Sequence, residues 1–160
     1  MKCHIPMIRD TYYFIRNGLI LNPIHTITME YKMLIVDDSM LDRMLMRQQV
    51  DTTKFEVFEF EDGAKALDWL EHQTRATKAV VLLDLNMPVM DGFTVVEKWR
   101  HSKLLHPHVK AEIIIVSAAL HDKVVERGIE SDIVAFVGKP LTEANFNHVL
   151  EHALDNLNRH

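Results

Sequence analysis

Val80-Val81-Leu82-Leu83-Asp84-Leu85-Asn86-Met87-Pro88-Val89-Met90-Asp91-Gly92 opens with four consecutive apolar residues and closes in a Pro/Gly loop, with Asp84 at the junction. An unbroken apolar run of that length, without polar alternation, describes a strand covered on both faces, as in a parallel sheet. Such a strand delivers Asp84 to its carboxyl end, along the edge where α/β proteins build their sites. A carboxylate there is a candidate nucleophile toward a phosphoryl group, and other strands must supply what that chemistry needs.

Outward from this stretch the chain alternates. Met33 to Val36 is a short apolar run ending in Asp37-Asp38; Ser39 can cap a helix in which Leu41, Met44 and Leu45 share one apolar face. Phe55 to Phe60 reads as a second strand, and Glu56 and Glu59 within it suit an edge position. Asp62-Gly63 starts a helix with Ala66, Leu67 and Leu70 aligned inward. Beyond Pro88, Asp91 is a candidate N-cap for a helix carrying Phe93, Val96 and Trp99 at helical spacing. Glu112 to Val116 is a β-branched fourth strand leading to Ser117-Ala118-Ala119, followed by a weaker helix near Asp122 to Gly128. Ile133 to Val137 is the fifth strand, leading to Gly138-Lys139-Pro140. Thr142 caps a last helix with the stripe Phe146, Val149, Leu150, Ala153 and Leu157. Five strands alternating with five helices imply a doubly wound α/β fold, because parallel neighbours need crossovers of about this length.

The length of 160 residues suits one such domain, over residues 32–158, plus an extension over residues 1–31. The extension is mildly basic, broken by Pro6 and Pro23, and carries an Asn17-Gly18 turn signal. It reads as a flexible or loosely docked tail, and Met29 or Met33 could each begin a complete domain. A single cysteine, Cys3, suits a reducing compartment, and the cytoplasm is the expected location. No apolar run is long enough to span a bilayer, and Arg9, Asp10 and Arg16 interrupt the N-terminal stretch, so no membrane association is expected. The net charge of −5, without a basic stripe, argues against direct DNA binding. The pairs His106/His108 and His148/His152 lack a companion ligand and read as solvated surface.

Four of the five strands stop at a polar group: Asp37-Asp38, Asp84, Ser117 and Lys139. In a parallel sheet those ends share one edge. Unit charges about 4 Å apart repel by roughly 4 kcal/mol at an effective dielectric near 20, so the carboxylates call for positive charge. Lys139 offsets only part of it. A hard, oxygen-loving cation, Mg²⁺ or Mn²⁺, would satisfy the rest. Asp84 could then attack phosphorus while Lys139 and Ser117 contact the phosphoryl oxygens, leaving an aspartyl phosphate whose charge biases nearby loops.

The ordered set Val36-Asp37-Asp38-Ser39, Leu83-Asp84 through Asp91-Gly92, Val116-Ser117-Ala118 and Gly138-Lys139-Pro140 resembles the receiver domain of two-component response regulators, of the stand-alone CheY type. The resemblance implies a flavodoxin-like, CheY-like (βα)5 fold with strand order 2-1-3-4-5. It implies Asp84 as the phosphoacceptor and Mg²⁺ held by Asp37, Asp38, Asp84 and the Asn86 carbonyl. Ser117 and Lys139 would contact the phosphoryl group, and Phe136 occupies the family's aromatic switch position, where packing alone would have to act. It further implies a histidine kinase or histidine phosphotransfer protein as donor, and a downstream protein bound at the face of the fourth helix, fifth strand and fifth helix. The chain would be a monomer or a weak dimer formed on phosphorylation, with no enzymatic turnover beyond its own phosphorylation and dephosphorylation. Ala119 offers no side chain to orient an attacking water.

Other readings remain. A haloacid-dehalogenase-like phosphatase also uses an Asp nucleophile and Mg²⁺, but wants an acid two positions on, where Asn86 stands. A receiver-shaped scaffold would bind partners without phosphorylation. An FMN site would need a Ser/Thr/Gly-rich loop after the first strand, which is not found there.

Overall fold

A computed structural model of the chain describes residues 14–15, 18–19, 30–118 and 122–159. Most of the predicted extension, and Ala119, lie outside the described residues. Within the extension, β1 (Phe14–Ile15) pairs antiparallel with β2 (Gly18–Leu19), Phe14 opposite Leu19.

Five further strands, β3 (Tyr31–Val36), β4 (Phe55–Phe60), β5 (Thr77–Leu83), β6 (Val109–Ser117) and β7 (Ala135–Gly138), form one parallel sheet in the order β4-β3-β5-β6-β7. Ranked by sequence, that is the expected 2-1-3-4-5. β4 is an edge strand, and its acidic residues are paired: Glu56 with Lys32 of β3, Glu59 with Arg47. The helices are α1 (Met40–Gln49), α2 (Gly63–Glu71), α3 (Gly92–Ser102), α4 (Asp122–Glu126) and α5 (Glu143–Arg159).

Because side chains of a strand alternate between faces, the apolar run of β5 feeds two cores at once. Val81 and Leu83 pack with Ala66 and Leu70 of α2 and with Phe93, Val96 and Trp99 of α3. Val80 and Leu82 pack on the other side with Met46 of α1 and with Phe146, Ala153 and Leu157 of α5. Val149 and Leu150 complete the α5 stripe half-buried. The helix starts are held as their sequences direct. Ser39, Asp62 and Asp91 accept from the backbone N–H groups of Asp42, Lys65 and Thr94 at 3.3, 2.9 and 2.8 Å. Thr142 and Asn145 bond reciprocally at the start of α5.

Several elements differ from expectation. β5 and β6 begin earlier, because Thr77 to Ala79 and Val109 to Ala111 pair with each other despite the lysines among them. The segment before β7 is a 3₁₀ turn, Glu130–Asp132, tied to α3 by the Arg100–Asp132 ion pair, so the strand starts at Ala135 rather than Ile133. The apolar face of α1 is outward: Leu41, Met44 and Leu45 are exposed, and Met46 is the buried residue. The inward positions of its first turns carry Asp42 and Arg43 instead, which reach the carboxyl edge of the sheet.

One loop residue is held against its preference. Val89 has φ 68° and is 95% exposed, and the Met90 N–H donates to the Pro88 carbonyl at 2.8 Å. This is a γ-turn with a β-branched residue in the left-handed region, an arrangement that costs on the order of 1–3 kcal/mol. With no packing to lose, Val89→Gly is expected to raise unfolding stability by about 1 kcal/mol after the entropy of the added glycine is counted. Urea denaturation checks this; a loss of stability would contradict a left-handed Val89.

Candidate functional site

Backbone hydrogen bonds carry the sheet beyond its paired residues and into the site. Asp37 N–H donates to the Phe60 carbonyl at 3.1 Å, Asp84 N–H to Val36 at 2.9 Å, and Lys139 N–H to Ser117 at 3.1 Å. With Val36 in register with Leu83, the next residues, Asp37 and Asp84, emerge side by side. Likewise Ser117 is in register with Gly138, so Lys139 follows directly beyond it. Parallel register thus converts four separate strand endings into one cluster.

One oxygen from each of Asp37, Asp38 and Asp84 lies within 4.8 Å of the other two. Asp37 is fully buried, Asp84 is 4% exposed and Asp38 stands at the open side. Lys139 Nζ lies 2.6 Å from Asp37 Oδ2, 2.7 Å from Asp42 Oδ2 and 3.5 Å from Asp84 Oδ2. The approach to Asp37 Oδ2 is off the hydrogen-bonding direction, so that contact is an ion pair. Asp37 Oδ1 accepts from the Ser39 N–H at 2.8 Å, and the Asp37 carbonyl accepts from Arg43 Nη1 at 2.7 Å.

Burial pushes the Asp37 carboxyl above its ordinary range, against the lowering contacts of Lys139 and the Ser39 N–H; the Asp84 charge adds to the rise. For Lys139, burial opposes the charged form, but its contacts with Asp37 and Asp42 and the charges of Asp84 and Asp37 outweigh it. Its ammonium is held well above the usual lysine range. The two directions differ in origin: burial lifts Asp37, with the Asp84 charge a smaller part, whereas the surrounding carboxylates hold Lys139 up.

The donor set fits a hard cation. It is all carboxylate, one member is open to solvent, and Asp84 Oδ1 is buried without a hydrogen-bond partner among the described residues. An ionised oxygen in that position is costly unless a positive charge meets it.

Among the other expected residues, Ser117 is fully buried at the end of β6. Phe136 is half-buried on β7, opposite Ile115, against the core shared with α2 and α3. Asn86 is exposed in the loop two residues beyond Asp84. The Lys139-Pro140 peptide is cis. The histidine pairs stand edge to face, with ring centroids 6.2 Å apart for His106/His108 and 5.1 Å for His148/His152. Neither belongs to a cluster of three metal-ligating side chains among the described residues.

Two site residues went unread in the sequence, Asp42 and Arg43. The available signal was their place in the first turns of the helix that Ser39 caps, beside the Asp37-Asp38 edge. An acid in a first helical turn, however, ordinarily only complements the helix dipole.

The response regulator receiver domain profile matches residues 33–151. Chemotaxis protein CheY of Bacillus subtilis is 32% identical over 114 residues, covering 70% of this chain and 88% of that protein. Hybrid signal transduction histidine kinase L of Dictyostelium discoideum is 25% identical over 120 residues, or 75% of this chain, and the match spans only 7% of that kinase. Among solved structures, the REC domain of AraT, a response regulator from Geobacillus stearothermophilus, superposes with a TM-score of 0.66 at 25% identity, covering 82% of this chain and 98% of that one. These matches favour neither the phosphatase nor the FMN reading. Among the described residues no helix is long and apolar enough to cross a membrane. A matched stretch that takes in every strand of the parallel sheet but the first two residues of β3, together with all the clustered residues, leaves one assignment: the chain belongs to the response regulator receiver domain family.

Proposed function

We propose that the chain accepts a phosphoryl group on Asp84 from the phosphohistidine of a histidine kinase or histidine phosphotransfer protein, and switches conformation to control a partner protein. The observation that carries this reading is the nearly closed group of Asp37, Asp38 and Asp84 oxygens with the Lys139 ammonium 3.5 Å from Asp84. In the transfer, an Asp84 carboxylate oxygen forms a bond to phosphorus as the bond from phosphorus to the donor nitrogen breaks, and that nitrogen keeps the electron pair. The Lys139 ammonium and the Ser117 hydroxyl hydrogen bond the phosphoryl oxygens as charge spreads over them. Asp37, Asp38, Asp84 and the Asn86 carbonyl would hold Mg²⁺, or Mn²⁺, which when bound supplies positive charge against those same oxygens.

The new charge then draws Ser117 and Lys139 toward Asp84. Since Ser117 ends β6 and Lys139 begins the loop after β7, the face of α4, β7 and α5 shifts, and Phe136 follows by packing because it has no hydroxyl to bond. A cytoplasmic setting follows from a phosphohistidine donor. The test is incubation with acetyl phosphate, read by intact mass. With Mg²⁺ the protein is expected to gain one phosphoryl group, and with a chelator none. Folded protein that incorporates nothing in the presence of metal would overturn the reading.

A further inference from the structure

We infer that Asp42 is a positioning residue that holds the Lys139 ammonium in a resting pose and thereby slows phosphoryl entry at Asp84. The inference rests on the proposed acceptor role of Asp84 and deepens it. Lys139 has three N–H donors, and its two short contacts are to Asp37 and Asp42, at 2.6 and 2.7 Å; Asp84, at 3.5 Å, comes last. Asp42 lies outside the group of three carboxylates that fits a cation, so a metal at that group leaves the Asp42–Lys139 pair in competition with whatever else needs the ammonium.

The pair is well built. The backbone N–H of Asp42 is fixed by the Ser39 cap at 3.3 Å, and the neighbouring Arg43 anchors the same turn to the Asp37 carbonyl at 2.7 Å. Asp42 and Lys139 sit on the wall of a cleft of about 210 Å³ whose other lining is apolar, including Leu45, Met46, Val116 and Leu141. Apolar walls reduce the screening an open surface pair would suffer.

When a phosphoryl group arrives, the ammonium must turn to its oxygens and give up part of its contact with Asp42. A contact present before the reaction and weakened in the transition state stabilises the ground state, so it slows the step. In that step an Asp84 oxygen bonds phosphorus, the bond from phosphorus to the donor oxygen of acetyl phosphate breaks, and acetate leaves with the electron pair. Once the phosphoryl group is in place, the link between α1 and the loop after β7 is loosened. Phosphorylation therefore loosens one of the ties that hold α1 as well as recruiting Lys139.

The experiment compares phosphorylation rates with acetyl phosphate and Mg²⁺ in the full chain. Asp42→Asn is expected to raise the rate constant per acetyl phosphate by about fivefold. Asp42→Ser moves it in the same direction, and Asp42→Glu, which restores the charge, returns it toward the unsubstituted value. Loss of a favourable charge in the first turn of α1 lowers the melting temperature but does not accelerate the reaction, so the rate separates the two roles. Wild-type incorporation with Asp42→Asn equal to or slower than wild type overturns the inference alone. No incorporation by wild type overturns the acceptor reading and this inference with it.

Discussion

Asp84→Asn is expected to lose all phosphoryl incorporation from acetyl phosphate while gaining stability in metal-free buffer, two changes of opposite sign from one substitution. The amide is isosteric but is not a nucleophile toward phosphorus, and no second carboxylate replaces it. Asp37 is fully buried and committed to Lys139 and the Ser39 N–H, and Asp38 stands exposed, without an ion pair to Lys139. The stability gain follows from electrostatics. Asp37, Asp38 and Asp84 crowd their oxygens within 4.8 Å, so removing one charge relieves repulsion that Lys139 only partly offsets, by on the order of 1 kcal/mol. Adding Mg²⁺ should reverse the order, because the wild type gains binding energy that the variant largely lacks. Intact mass and thermal unfolding with and without Mg²⁺ read both effects. Persistent incorporation in Asp84→Asn would move the acceptor elsewhere.

Gly92→Ala is expected to cost about 3 kcal/mol of stability and to impair phosphorylation as well. A Cβ at this position would stand 2.3 Å from the Asp84 carbonyl oxygen, 2.9 Å from Leu85 Cα and 3.0 Å from the Asp84 carbonyl carbon. All three are backbone atoms, so no side-chain rotation relieves the clash. Either the start of α3 or the backbone of Asp84, the proposed acceptor, must move. The Gly92 N–H also donates to the Leu85 carbonyl at 3.1 Å, a bond that such a shift would stretch. Gly63 makes a useful contrast: its nearest obstacle, at 2.3 Å, is the Val95 side chain, which has more freedom to yield, although the Met90 carbonyl stands at 3.0 Å. Urea denaturation and acetyl phosphate labelling of Gly92→Ala check the two effects; wild-type values for both would show that the loop gives way freely.

Much of the fold was legible because its signals are local and repeated. Each apolar run bounded by a polar residue marked a strand end, and Ser39, Asp62, Asp91 and Thr142 marked helix starts through bonds formed within three residues. Element bounds were less legible where pairing overrode composition. Lys78 and Lys110 interrupt the apolar pattern, yet they stand opposite each other in the β5–β6 ladder, where the backbone pairs whatever the side chain.

The sequence by itself determined the alternation of strands and helices, the parallel sheet that such alternation requires, and the delivery of Asp37, Asp38, Asp84, Ser117 and Lys139 to one edge. Only the tertiary structure decided how those groups share their charges. Nothing in a helical period says that α1 turns Asp42 and Arg43 inward and leaves Leu41 at 63% exposure. That orientation answers to Lys139, 97 residues away, and to the Asp37 carbonyl at the strand end. Periodicity records which side chains avoid water, whereas an ion pair between distant segments depends on where the completed sheet brings them, and on the unbalanced charge waiting there.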